Sequence, residues 1–86
     1  MQRRPEFKRL EESFYKPMIF NLIARRKKLG LTQEMVNDEM GVAPYSVSKY
    51  EVGMRFPSLY HLLLWCEALK CDLILIQREV TMEDMQ

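Results

Sequence analysis

Four consecutive basic residues, Arg25-Arg26-Lys27-Lys28, are the densest group of charged side chains in the sequence. Their guanidinium and ammonium groups could bind an anion such as a phosphate. They could equally lie in the last turn of a helix, where cations interact favourably with the helix dipole. The run by itself does not decide between these two explanations.

Residue types that carry catalysis or bind metals are few and poorly spaced. Cys66 and Cys71 are the only cysteines, and a lone His61 has no second imidazole to complete a metal site. The sequence has no glycine-rich phosphate loop and no spacing that would pair a nucleophile with a base. We therefore expect a protein that is not an enzyme and that requires no metal or cofactor.

Charge is distributed unevenly along the chain, although the formal net charge is only +1. Residues 1–28 carry nine basic and three acidic side chains, whereas residues 29–86 carry four basic and nine acidic ones. Because local fields matter more than net charge, a nucleic-acid partner is not excluded. The length of 86 residues, 48% of them hydrophobic, fits one small domain that a partner subunit could stabilise further.

The sequence gives no sign of export or membrane insertion. Its polar start is not followed by the apolar core of a signal peptide, and the longest apolar runs, 62–66 and 73–76, are too short to span a bilayer. We expect a cytoplasmic chain with reduced thiols and no membrane contact.

Helix start and stop signals divide the middle of the chain into four predicted helices. The first helix is predicted to run from Pro17 to Leu29, before Gly30, and the second from its cap at Thr32 to Met40. The third is predicted to run from Pro44 to Val52, before Gly53, and the fourth from its cap at Ser58 to Leu69. In the fourth helix, apolar residues at helical spacing predict a core stripe of Leu59, Leu62, Leu63, Cys66 and Leu69.

The two ends of the chain are less regular. Residues 1–15 are either a frayed arm or contain a short helix over Glu6–Phe14, and residues 79–86 are expected to form a loose tail. Leu73–Ile76 favours a strand, within a segment 72–78 that completes a domain over 16–78. A lone strand needs a mate, which must come from another chain unless the first fifteen residues supply it.

A longer pattern gives the short helices around Gly41-Val42-Ala43 a more specific interpretation than a helical hairpin. It consists of Leu29-Gly30-Leu31-Thr32-Gln33, Val36, Met40-Gly41-Val42, Val47-Ser48-Lys49-Tyr50-Glu51, Gly53 and Pro57-Ser58-Leu59. Over roughly residues 17–73 the chain resembles the Xre/Cro-type DNA-binding domain of phage repressors, restriction controller proteins and antitoxins. The resemblance implies an all-α, lambda-repressor-like helix-turn-helix bundle of four to five helices, to which the C-terminal strand, paired across a dimer, would be added.

The resemblance also implies a set of DNA-contacting residues around a recognition helix at 44–52. The set comprises Gln33, Pro44, Tyr45, Ser46, Ser48, Lys49, Arg55 and Arg26. Lys49 can donate to guanine, Tyr45 can contact a thymine methyl group or a phosphate, and Gln33 would clamp a phosphate. For each of these residues the alternative is an ordinary solvated surface side chain, whereas Val47 and Tyr50 should face the core.

Arg26 and Glu51 stand at positions where phage repressors of this type have an ion pair. Such a pair would fix the recognition helix while keeping the arginine near a phosphate. Because it would be buried, we expect it to contribute more to geometry than to net stability.

Three features depart from the family pattern. Asn37 replaces a small apolar residue where the two motif helices cross, so its amide needs hydrogen-bond partners. The second helix carries three acidic and no basic side chains. Leu64 stands where a polar residue is usual and, with Tyr60, predicts an exposed apolar pair. With the strand, this pair defines the expected dimer surface: Tyr60, Leu64, Leu73, Ile74, Leu75 and Ile76.

The sequence therefore predicts a homodimeric, nucleoid-associated regulator that binds a double-stranded operator, most simply as a repressor. A fourth helix followed by a pairing strand most resembles antitoxins of the persistence type, which implies a cognate toxin; a phage-type regulator is the close alternative. The rival from another class is a protein-interaction module that binds a toxin or a polymerase subunit through the same scaffold without reading DNA. The acidic second helix favours that rival.

Overall fold

The computed structural model describes residues 5–85, and these are predominantly helical. The elements are α1 (Pro5–Leu10), a π-helical turn (Glu11–Tyr15), α2 (Lys16–Lys28), α3 (Gln33–Met40), α4 (Ser46–Val52), α5 (Leu59–Ala68) and a 3-10 turn (Glu83–Met85). No helix in this part of the chain has both the length and the apolar character needed to cross a bilayer. The all-α, helix-turn-helix character expected from the sequence is confirmed.

Two helix starts follow the predicted capping chemistry. The Thr32 hydroxyl accepts from the Met35 N–H at 3.0 Å at the start of α3, and the Ser58 hydroxyl accepts from the His61 N–H at 3.1 Å at the start of α5. Gly41 ends α3 in the left-handed conformation, with φ of 68°. These local signals place α3 and α5 where the sequence predicts them.

The third helix starts later than predicted. Its prediction began at Pro44, but α4 begins at Ser46 because Tyr45 has a left-handed backbone, with φ of 65° and ψ of 9°. A residue in that conformation cannot continue a right-handed helix. Pro44 and Tyr45 therefore belong to the turn, which extends beyond Gly41-Val42-Ala43.

The core lies between α2, α3, α4 and α5. Its fully buried members come from each of these helices or from the residue that directly follows α5: Ile19, Leu22, Val36, Met40, Val47, Tyr50, Trp65, Cys66 and Leu69. Val47 and Tyr50 thus lie in the core as predicted, at 0% and 2% exposure. The rings of Tyr50 and Trp65 pack with centroids 5.5 Å apart.

The buried face of α5 differs from the predicted stripe. Leu59 and Leu63 were expected in the core, but they are exposed, and Trp65 is completely buried instead. The prediction failed because α5 carries apolar residues around most of its circumference, so that spacing does not mark one face. Which face is buried depends on the packing of α3 and α5.

Residues 5–15 are helical, which agrees with the short helix that was one of the two predictions for the N-terminal segment. A backbone bond from the Lys16 N–H to the Glu11 carbonyl spans five residues and closes the π-helical turn. The interpretation of the segment as an arm also covered residues 1–4, which lie outside the described residues, as does the last residue of the predicted tail.

The predicted strand does not form in the isolated chain. Residues 71–80 have no regular secondary structure, and the structure describes no strand anywhere in residues 5–85. A strand requires a neighbour for its backbone hydrogen bonds, and residues 5–15, which were among the possible partners, are helical. Within residues 5–85, nothing satisfies the pairing requirement of segment 72–78.

Candidate nucleic-acid interface

Asn37 is the residue around which the motif is built. It lies in α3, is 6% exposed, and makes hydrogen bonds through both ends of its amide. Its Nδ2 donates to the carbonyls of Ala43 at 2.9 Å and Val42 at 3.3 Å, and its Oδ1 accepts from the Val47 N–H at 3.0 Å. The polar group that departs from the family pattern is therefore fully partnered at the helix crossing.

The N-terminal end of α4 presents several of the predicted contact residues to solvent. Tyr45 is 75% exposed, Pro44 is exposed, and Ser48 and Lys49 are half-buried. A groove between α3 and the turn is lined by Gln33, Glu34, Asn37, Asp38, Val42, Pro44, Tyr45 and Ser48. The structure therefore places Gln33 on the same groove as three of the predicted residues of the turn and α4.

Ser46 is placed differently from the other predicted contacts. It is 3% exposed, and its hydroxyl donates to the Ala43 carbonyl at 2.7 Å. Its side chain therefore stabilises the turn and is not part of the exposed surface at the start of α4.

Arg26, Glu51 and Gln33 form one hydrogen-bonded network. Arg26 Nε lies 2.7 Å from Glu51 Oε2, and Arg26 Nη2 lies 3.0 Å from Oε1. Gln33 Nε2 donates to the same Oε1 at 2.9 Å, and Arg26 Nη1 donates to the Leu31 carbonyl at 2.9 Å. The Arg26 and Glu51 side chains are only 12% and 6% exposed. The network thus joins α2, α3, α4 and the loop after α2.

The basic run at the end of α2 divides into two parts. Arg26 belongs to the buried network, and Arg25 Nε donates to the Leu69 carbonyl at 3.0 Å, next to the end of α5. Lys27 and Lys28 are exposed. The two arginines therefore hold the fold together, and the two lysines remain as cations open to solvent. Arg55, in the loop after α4, is exposed as well.

The predicted dimer residues are only partly exposed together. Tyr60 is 68% exposed, but Leu64 is half-buried against the core. The segment Leu73–Ile76 is the most exposed apolar stretch, and Leu75 within it is 99% exposed. The apolar neighbours of Tyr60 on the surface of α5 include Leu59 and Leu63, not Leu64 alone.

The two cysteines do not form a disulfide, and Cys66 is buried. Burial raises the pKa of the Cys66 thiol, and the nearby Cys71 and Asp72 act in the same direction. The Cys66 side chain therefore stays protonated and serves as an apolar core residue.

Sequence reasoning missed the structural roles of Arg25 and the partners of Asn37. For Asn37 a signal was available: it is an asparagine at a buried helix crossing, and a buried amide requires partners. No local signal identified the contact between Arg25 and Leu69, since 44 residues separate the two in the chain.

Comparison with known families agrees with this geometry. A family model described as helix-turn-helix matches residues 22–76, from within α2 to the exposed segment beyond α5. The chain belongs to the Xre/Cro-type helix-turn-helix family and is a DNA-binding regulator. Comparisons with curated proteins and with solved structures give no significant match.

Proposed function

We propose that the chain is a homodimeric, sequence-specific regulator that represses transcription at a pseudo-palindromic operator. The observation that supports this best is the pairing of a rigid support with an exposed end in α4. Its C-terminal part is held by Glu51 in a buried network, whereas Tyr45 at its start is 75% exposed. A recognition helix needs both properties to place side chains in the major groove.

The contacts divide into base reading and phosphate binding. Lys49 can donate to guanine O6 and N7, and Tyr45 can contact a thymine methyl group or a phosphate. Pro44 offers apolar contact, and Ser48 a small donor. Gln33, Arg55 and the exposed lysines of the basic run bind phosphates, with Arg26 behind them in the network.

Two copies of the domain would bind two half-sites. In a dimer the recognition helices lie about 34 Å apart, which matches one turn of DNA. Tyr60 and the exposed segment 73–76 would form the dimer contact, with the segments paired as strands and Leu64 supporting the surface from below. The subtype that we favour is an antitoxin-like autorepressor with a cognate toxin, ahead of a phage-type regulator.

The test is fluorescence anisotropy with a labelled DNA fragment from upstream of the coding sequence and a shuffled fragment of the same composition. We expect tighter binding to the upstream fragment, with log affinity falling by about 0.9 per phosphate contact for each tenfold rise in salt. Lys49→Ala should keep the fold and reduce the preference between fragments. Arg9→Ala, which removes the same charge at an exposed site on α1, outside the motif, is the matched control and should keep that preference.

One observation favours the protein-interaction alternative. Glu34 and Asp38 line the same groove as Tyr45, and their carboxylates repel DNA phosphates. If the wild-type chain binds both fragments equally, with little dependence on salt, the repressor proposal is wrong and this alternative takes its place.

A further inference from the structure

We propose that Asn37 is a positioning residue for DNA reading, because it caps the recognition helix α4 from the neighbouring helix α3. This inference rests on the proposed function, since it assigns the residue that sets the geometry of the reading surface. It concerns a residue that is only 6% exposed and that would therefore act through the groups it holds.

The start of α4 lacks a side-chain cap from the residue at its cap position. The first N–H groups of a helix have no partner within the helix and are usually capped by a side chain just before it. Tyr45, the residue at the cap position, makes no such bond, and Ala43 has no side-chain oxygen. The Val47 N–H is instead bound by Asn37 Oδ1 at 3.0 Å, ten residues earlier in the chain.

Asn37 also holds the turn that precedes α4. The amide nitrogen of Asn37 holds the carbonyls of Val42 and Ala43, and the Ser46 hydroxyl holds the Ala43 carbonyl from the other side. One buried side chain thus fixes both the end of the turn and the beginning of the helix. As a result, α3, the turn and α4 are connected as one unit.

Tyr45 lies between Ala43 and Val47, the two points that Asn37 holds. Its left-handed backbone is unfavourable for a bulky residue and persists only where the surroundings impose it. Because Ala43 and Val47 are both fixed by Asn37, the backbone of Tyr45 has little freedom to relax. Asn37 thereby sets the direction in which the exposed Tyr45 ring leaves the surface.

The first experiment compares Asn37→Ala with Asn21→Ala, which makes the same change at an exposed site on α2. Both are tested with the two DNA fragments at a temperature where the fluorescence of Trp65, the only tryptophan, shows each variant to be folded. We expect Asn37→Ala to lose about tenfold in affinity for the upstream fragment, and much less for the shuffled one. Asn21→Ala should match the wild type.

A second variant covers the case in which Asn37→Ala does not fold. In Asn37→Asp, a charged carboxylate can accept from the Val47 N–H but faces the Val42 and Ala43 carbonyl oxygens. Protonation lets it donate to one of them, so discrimination between fragments should recover as pH falls. Glu34 and Asp38 are further carboxylates that line the same groove, so the wild type supplies the reference pH series.

The outcomes separate the two proposals. If the wild-type chain shows no preference for the upstream fragment, the proposed function is wrong, and so is the proposed role of Asn37 in DNA reading. A wild-type preference that is retained by Asn37→Ala, or by Asn37→Asp at every pH, overturns the positioning role and leaves the DNA-binding proposal standing. Loss in Asn37→Ala and recovery of Asn37→Asp at low pH support it.

Discussion

A single carboxylate, that of Glu51, accepts three of the hydrogen bonds that hold the motif together. Two come from Arg26 and one comes from Gln33. Buried charges are costly to desolvate, so the carboxylate is favourable in this place only while its cationic partner is present. The network therefore resists small rearrangements, and the loss of any one member should be destabilising.

The Arg26–Glu51 pair can be tested by removing one of its charges or both. Arg26→Ala should lower the free energy of unfolding by about 3–5 kcal/mol, because it leaves a buried carboxylate without its partner. The double change Arg26→Met with Glu51→Leu removes both charges and should be clearly more stable than Arg26→Ala. Urea unfolding followed by Trp65 fluorescence measures both. A double variant less stable than Arg26→Ala would show that the charge pair itself provides the stability.

For single residues, the sequence predicted the contacts that follow from a family pattern or from a local rule. The Arg26–Glu51 pair was expected from the resemblance, and the Thr32 and Ser58 caps from their residue types. The partners of Asn37 and Arg25 could not be predicted, because they depend on how helices distant in the chain approach one another. The burial of Ser46 depends on the left-handed backbone of the preceding tyrosine.

At the scale of elements, α5 shows where periodicity stops being informative. Seven of its ten residues from Leu59 to Ala68 are leucine, tyrosine, tryptophan or cysteine, and these residues lie on nearly every side. An amphipathic helix reveals its buried face through the contrast between apolar and polar sides, and α5 has little contrast. Spacing predicted the burial of Cys66, whereas the packing of the helices, and not spacing, places Trp65 in the core.

Leu69 and Leu59 allow this face to be tested with identical substitutions. Leu69→Ala should lower the free energy of unfolding by about 2–5 kcal/mol, because Leu69 is 0% exposed and its loss leaves a cavity. Leu59→Ala, at a site that is 69% exposed, should change it by about 0.5 kcal/mol or less. Urea unfolding at a protein concentration at which sedimentation shows monomers measures the difference, so that a dimer contact of Leu59 does not contribute. Equal losses at the two sites would restore the stripe that spacing predicted.

Helix ends were predicted well where a cap or a glycine defines them and poorly where tertiary contacts do. Gly41 ends α3 as expected, since it adopts the left-handed conformation that glycine accepts readily. The start of α4 lies later than predicted because Tyr45 adopts the same left-handed conformation, which is unfavourable for a tyrosine. The strand over 72–78 was predicted from β-propensity, but propensity supplies no neighbour with which to pair.

At the scale of the whole molecule, the single chain leaves a large apolar surface uncovered. The segment Leu73–Ile76 ranges from 42% to 99% exposed, and Leu59, Tyr60 and Leu63 add to the apolar surface of α5. Small domains bury a lesser share of their surface than large ones, so a second copy that covers these residues would add stability. This is the physical basis for proposing a homodimer.

The dimer proposal predicts the effect of charge in this segment. The double change Ile74→Lys with Ile76→Lys should yield monomers in sedimentation velocity experiments, because lysine cannot be buried without a partner. Affinity for the upstream DNA fragment should fall with the loss of the second half-site contact. Val80→Lys with Met82→Lys adds the same charge to exposed apolar residues beyond the segment and should leave the dimer intact. A dimer that survives the first pair of changes would rule out association through residues 73–76.

The π-helical turn between α1 and α2 affects how the direction of α1 responds to the loss of a residue. The turn accommodates one residue more than an α-helix would, and the helix continues through it from Pro5 to Lys28. An α-helix advances by about 100° per residue, so removing one residue from the regular helix α2 would rotate α1 by that angle relative to the core. The π-helical turn already holds one extra residue, so removing one residue from 11–15 would leave an ordinary α-helical turn and nearly the same direction of α1. Phe7 and Leu10, each about half exposed, would then keep their orientation relative to the helix-turn-helix unit. The loss of one codon within this turn should thus be tolerated, whereas the same loss in α2 would redirect the apolar side of α1.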